Sequence, residues 1–368
     1  MAASVTLEVP LNRVEGDLEL RVEIADGFVT EAWCRGTMFR GFERLMVGRA
    51  ATDGLVITPR ICGICSTGHQ MAAVRALDSL SGQPPPPDAL RVRNVALLVE
   101  AIQSDVRHAC LMFGADFANP HYAAHPLYDE AVRRYAPFAG ESVREALVNT
   151  KQVIEVLHLL AGQWPHSSFM VPGGVAASPA PDALQQCRAL VAAYRRWYER
   201  RVLGCSLERW LDIRRAADLE VWLEESDSHR ESEVGFLLRF AEPAGLQRYG
   251  QGHGNFLSYG AYELPEDSRV RGPRRDGFLI PAGFARGTRV QPFDESRIAE
   301  HTSYSWFQDD VPARHPRHGR TVPYATGHEG ERYSWAKAPR YDDLPAETGP
   351  LAEAVMAGHP LFGDLVER

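Results

Sequence analysis

Apolar residues recur at spacings of three and four across residues 95–113, as Val95, Leu98, Ile102, Val106, Ala109 and Phe113. This rhythm lays them along one face of a single long helix and excludes a strand, whose faces alternate every second residue. A long helix with one apolar face must pack against other helices. Further helical patterns run from about His69 to Leu80, over residues 141–162 and over residues 181–202. The middle of the chain is therefore expected to be a bundle of long helices. Two segments punctuate it. SGQPPPPDAL (residues 81–90) holds consecutive prolines, which favour an extended connector. GQWPHSSFMVPGGV (residues 162–175) is rich in turn residues and reads as an ordered loop.

Toward the ends the texture changes. Residues 4–33 read as β structure: Leu18, Leu20, Val22 and Ile24 alternate with polar residues, and Asp26-Gly27 supplies a hairpin turn. Past residue 245 the chain is rich in Gly, Tyr and Pro and reads as strands and long loops. It closes with a helix, a turn and the start of another helix in LAEAVMAGHPLFGDLVER. The expected fold class is mainly α (α+β): a large helical body with peripheral β elements. One domain over residues 1–368 is expected, with a β-rich part (1–35), a helical core (36–240) and a loop- and strand-rich part (245–368).

A net charge of −8 and a pI near 5.9 give no basic field for nucleic acid or an anionic membrane. No apolar run approaches the ~18 residues of a membrane span. The first residues, MAASVTLEVPLNRVEGD, show neither a basic-then-apolar leader nor a twin-arginine pair, so a cytoplasmic location is expected. The six cysteines, Cys34, Cys62, Cys65, Cys110, Cys187 and Cys205, are too sparse for a disulfide scaffold and read as reduced thiols.

Only Cys62 and Cys65 are close in sequence, within TPRICGICSTGH (residues 58–69). A C-x-x-C at a turn or helix start puts both sulfurs on one side, near enough to share a soft metal ion. A structural zinc site would need a second ligand pair at set spacing, and the sequence has none. A thioredoxin-like redox pair would need a βαβ context. Two cysteines packed as small hydrophobes are the remaining reading.

The flanking residues narrow this. R-I-C-G-I-C-S-T-G-H (60–69) resembles the first metal-binding motif of the large subunit of nickel-iron hydrogenases. NRVEG (12–16), MFRGFE (38–43), QWPHSSFMVPGG (163–174), HTSYSW (301–306) and SWAKAPRYDDLPAETGPLA (334–352) resemble other blocks of that family, in the same order. The likeness spans almost the whole chain and looks most like the cytoplasmic uptake branch.

The resemblance implies a fold with an α bundle around the metal site and heterolytic cleavage of H2 at a nickel-iron centre whose iron carries CO and cyanide. It implies that Cys62 is a terminal nickel ligand and Cys65 a bridge to iron. It makes Glu15 a proton acceptor from the site, in an apolar setting that would raise its pKa. Glu43 would help bind a magnesium or similar ion. Asp105 and His108, three apart on a helix, would form a polar pair over the metals. His69 would be an outer-shell hydrogen bonder, and Arg60 would balance the charge of thiolates and cyanides. His166 and His301 read as structural polar residues. An iron-sulfur small subunit and maturation chaperones are the implied partners, and too few cysteines remain for this chain to hold a cluster itself. The family's second cysteine pair, D-P-C-x-x-C-x-x-H, has no counterpart in this sequence. Three expectations meet that fact, in order: part of a longer large subunit, a split subunit, or a non-catalytic maturation scaffold carrying an iron-ligand unit on Cys62 and Cys65.

Overall fold

The structure is a computed structural model that describes residues 4–11, 13–82, 84–265, 268, 277–308, 313–327 and 330–368. Asn12 of the NRVEG segment and Gln83 of the proline connector lie outside the described residues. The chain divides into two compact units, one of residues 1–49 with 294–346, the other of residues 50–293 with 347–368. This division cuts across the segments expected from sequence order at 35 and 245. Among the described residues no helix is long and apolar enough to cross a membrane.

In the first unit, β1 (Val5–Leu11), β2 (Leu18–Ala25) and β3 (Phe28–Gly36) form an antiparallel sheet in that order. Asp26 and Gly27 join β2 to β3 with positive φ at both positions (53° and 81°), the two-residue turn whose twist suits a hairpin. The register aligns Val5, Leu7, Val9 and Leu11 with Ile24, Val22, Leu20 and Leu18, so one face of β1 and β2 is apolar. Arg35 on β3 is buried and pairs with Glu8 (2.8 Å) and Glu19 (2.7 Å). A second small sheet has Ile298–His301 between Ala313–Arg314 and Ala338–Tyr341. Beside it Trp335 stacks on Phe39 at 4.3 Å and meets Trp306 edge-on at 5.3 Å. The Trp306 N–H donates to the Ser334 carbonyl at 2.8 Å, so the HTSYSW and SWAKAPRY segments pack on each other.

In the second unit, α1 (Ser66–Ser81), α2 (Pro87–Arg107), α3 (Glu141–Ala161) and α4 (Pro181–Trp197) are the expected long helices. Pro87 and Pro181 stand at the first helical position, where a missing N–H costs nothing, so the proline connector ends by starting α2. Val74, Val99, Val106, Val153, Leu157 and Trp197 meet in the main core between these helices. A second cluster joins Tyr135, Phe236 and Phe240 of the helices Tyr128–Tyr135 and Glu233–Ala244. The antiparallel strands Asn255–Glu263, Phe278–Arg286 and Arg289–Gln291 pack on Pro350–Met356 through Phe256, Ala285 and Met356. The helix Pro360–Glu367 closes the described chain.

α2 corrects one expectation. Its buried face is not the one marked by Val95, Leu98 and Phe113; Val95 and Phe113 are exposed. The buried face carries Ala89, Arg93, Ala96, Val99, Glu100 and Gln103, with Val106 shared by both. Three polar residues on the inward face broke the apolar rhythm and turned the apparent stripe to one side. Beyond Arg107 the helix widens into a π turn, His108–Phe113, which shifts the phase again.

Candidate functional site

The C-x-x-C sits where a short turn of helix becomes a long one. Thr58–Arg60 forms a single 3₁₀ turn, and the Thr58 hydroxyl bonds the carbonyls of Gly54 (2.8 Å) and His69 (3.2 Å), tying the approach to the first turn of α1. Cys62 is buried just beyond this turn. Cys65 is exposed and occupies the N-cap position of α1. The two thiols lie close enough for Cys62 to raise the pKa of Cys65.

A helix leaves its first N–H groups without partners, and an N-cap Ser, Asp or Asn usually satisfies one of them. Cys65 makes no such side-chain bond. Glu100 does it from α2. Its carboxylate accepts from the Thr67 N–H and the Gly68 N–H, both at 3.0 Å, and from Trp164 Nε1–H at 2.8 Å. The Ser66 hydroxyl donates to it more weakly at 3.5 Å. Glu100 is 3% exposed.

The loop containing Trp164 closes over the turn. The His166 N–H donates to the Ser66 hydroxyl at 3.2 Å. His166 Nδ1 lies 2.9 Å from the Pro59 carbonyl, so that nitrogen carries the proton. The imidazole packs on Gly63, within 3.6 Å of where a Cβ would stand.

Although Cys65 reaches solvent, its thiol is pushed up to about 12, first by partial burial, then by its hydrogen bond and proximity to Cys62, then by the charge of Glu100. A thiol raised in this way keeps its proton until a cation arrives to displace it. Partial burial lowers the His69 pKa, against the pull of Glu100. The shift favours the neutral imidazole.

Arg60 ends the 3₁₀ turn and is exposed. Asp105 and His108 lie three apart at the exposed end of α2, where His108 meets the Phe113 ring at 4.8 Å. Partial desolvation raises the Asp105 pKa, and the charge of nearby His108 opposes the rise. In the first unit, Glu15 is exposed in the connection between β1 and β2, and Glu43 is exposed in the first turn of the short helix Phe42–Met46. The apolar enclosure expected around Glu15 is thus not seen: its turn stands open to solvent. His301 lies 3.2 Å from Asp343 in an exposed pair.

Among the described residues, no three His, Cys, Asp or Glu side chains converge on one metal position. The other four thiols lie apart: Cys110 and Cys187 in the bundle core, Cys34 exposed on β3, and Cys205 against the Trp222 indole N–H at 3.4 Å. The donor set therefore suits a soft metal held from one side by two thiols, and further ligands would have to come from elsewhere.

Residues 40–135 and 237–362 match the nickel-dependent hydrogenase family, which covers more than half of the chain, including the C-x-x-C. The chain belongs to the nickel-dependent hydrogenase family. It is 28% identical to the periplasmic [NiFeSe] hydrogenase large subunit of Desulfomicrobium baculatum, over 93% of this chain and 62% of that protein. It is 27% identical to the hydrogenase-2 large chain of Escherichia coli, over 97% of this chain and 68% of that protein. It superposes on the Ni-Fe-Se hydrogenase of D. vulgaris Hildenborough with a TM-score of 0.73 at 26% identity, covering 97% of this chain and 67% of that one. This hydrogenase-family chain thus spans a little under two thirds of the D. baculatum large subunit. Relatives that are themselves hydrogenase large subunits do not favour the scaffold expectation.

Two residues that hold the cysteine turn escaped the sequence reading, Glu100 and Trp164, and His166, read from sequence as a structural polar residue, packs against the same turn. The available signals were a carboxylate inside an otherwise apolar stretch of α2 and a Trp-Pro-His run in a loop between two long helices.

Proposed function

We propose that this chain is the ligand-bearing body of an uptake-type nickel-iron hydrogenase large subunit, with Cys62 and Cys65 as one thiolate pair of its nickel-iron centre. The observation that carries this reading is the meeting of the two thiols at the capped start of α1, within the segment that matches the family. When bound, the centre would supply the redox and Lewis-acid chemistry that splits H2, with CO and cyanide completing the iron.

The chain's residues would do the rest. Cys62 would hold nickel and Cys65 would bridge, since a polarizable thiolate has lone pairs for two metals. Arg60 would offset the negative charge of thiolates and cyanides. Asp105 and His108 would set the polarity of the open face, and His69 would orient the turn. Glu15 would carry protons away once its turn is enclosed by partner surface. Glu43 would contribute a hard oxygen to a magnesium ion. The second thiolate pair implied by the resemblance would come from polypeptide other than these residues. An iron-sulfur small subunit would take the electrons, maturation chaperones would load the centre, and the assembly would work in the cytoplasm.

The test is metal content and H2-dependent dye reduction in the assembled enzyme. Cys62→Ser and Cys65→Ser should each lose nickel and activity together, and wild-type nickel in either would remove that residue from the ligand set. Glu15→Gln should keep the metals and lose H/D exchange with solvent; normal exchange would take Glu15 out of the proton route.

A further inference from the structure

Cys65 holds the N-cap position of α1, where a side-chain oxygen ordinarily satisfies the N–H groups at the second and third helical positions. A thiol kept for a metal cannot also cap. Those two N–H groups, on Thr67 and Gly68, instead meet a carboxylate from α2. We infer that Glu100 is the positioning residue of the Cys62 and Cys65 pair: it caps α1 from outside, so that both sulfurs stay free and hold one shape. The inference rests on the reading of that pair as metal ligands.

The chemistry of the partners requires a carboxylate. Oε2 receives Thr67 N–H and Trp164 Nε1–H, and Oε1 receives Gly68 N–H. Every group facing Glu100 donates, and only a carboxylate offers acceptors at both ends. An amide would turn its NH2 against one of these donors. The position is fixed on all sides: the site is buried, α2 is anchored in the bundle core, and Trp164 ties the closing loop to the same oxygen that holds the helix start. Losing this clamp would free the first turn of α1, and with it the N-cap cysteine. Changes to groups that orient metal ligands typically weaken metal binding about 10- to 100-fold.

The test titrates the full 368-residue chain with Co2+ and follows the thiolate-to-cobalt charge-transfer band. The band should vanish in Cys62→Ser and in Cys65→Ser. Glu100→Gln should bind Co2+ about 10- to 100-fold more weakly, and its band at saturation should be shifted or reduced while far-UV circular dichroism keeps its helical amplitude. A purely structural role would lower stability and leave the saturated band unchanged. Glu100→Asp, which keeps both acceptors but withdraws them by one methylene, should fall between; it carries the test if the Gln variant does not fold. Wild-type affinity and band in these variants would overturn the role of Glu100 and leave the ligands standing. A wild-type chain with no cysteine-dependent band would overturn the ligand reading and the inference with it.

Discussion

Arg93 on α2 and Asp78 on α1 form an ion pair 2.6 Å long with the arginine 1% exposed. The guanidinium also donates to the carbonyls of Val171 (2.6 Å) and Gly174 (2.8 Å), and the other Asp78 oxygen accepts the Gly173 N–H at 2.7 Å. One buried pair therefore joins two bundle helices to the Pro172-Gly173 turn, the P-G-G end of the loop that closes over the cysteines. Arg93→Met would leave a partly buried carboxylate and two carbonyls without their donor. Breaking a buried pair from one side costs about 3–5 kcal/mol. Urea unfolding of the variant should show a loss of that order, and a loss below about 1 kcal/mol would show that water replaces the guanidinium.

Glu233 anchors the second cluster of the same unit. It accepts from the Tyr135 hydroxyl, the Ser142 hydroxyl (2.6 Å) and Arg134 (3.2 Å). Tyr135→Phe removes one of three donors and leaves the ring packing, so it should cost about 1–2 kcal/mol. Glu233→Leu removes the acceptor from all three, although Arg134 keeps Glu130 and the Glu231 carbonyl, so it should cost more than the hydroxyl alone, about 2–4 kcal/mol. Equal losses in the two variants would mean that the hydroxyl carries the network.

The helices were legible because their apolar spacing is local: residues 141–162 and 181–202 became Glu141–Ala161 and a helix through Trp197 that continues as a π turn to Leu203. The Asp26-Gly27 hairpin was legible for the same reason. The inward face of α2 was not, because Arg93, Glu100 and Gln103 point into the core, and the partners of Arg93 and Glu100 lie on α1 and in the loop after α3. Periodicity registers such residues as outward. The cysteine pair was legible from its spacing, but the carboxylate that holds it was not, since nothing in sequence marks a helix cap supplied by another helix. Glu15 illustrates the opposite limit: its segment carries the resemblance, yet its surroundings depend on tertiary packing that no local pattern encodes.

Gly204 follows the π turn Tyr198–Leu203 with φ 69°, a conformation that side chains avoid. A Cβ there would also run into the Ser228 carbonyl. Gly204→Ala should therefore combine backbone strain with overpacking, a loss of about 2–4 kcal/mol. Equilibrium unfolding measures it, and a change under about 1 kcal/mol would mean that the segment around Ser228 moves aside freely.

Cys110 offers a test with a defined sign in pH. Burial, with a smaller contribution from the charge of Glu233, pushes its thiol up to about 12. In the unfolded chain a cysteine loses its proton near pH 8.5. The folded state thus keeps a proton that the unfolded state releases, and stability must fall as pH rises above the unfolded value. The contribution is fully present below about pH 8 and declines at up to about 1.4 kcal/mol per pH unit above pH 9. Tyr135 and Tyr194 are also raised by burial, but an unfolded tyrosine titrates near pH 10, so the window from about pH 8.5 to 10 belongs mainly to thiols. Cys110→Ala removes one of these thiols and leaves Cys65, Cys187 and Cys205 in place. Denaturant unfolding across that window should show a shallower decline in Cys110→Ala than in the parent chain, and parallel curves would mean that Cys110 ionises as readily in the folded protein as in the unfolded one.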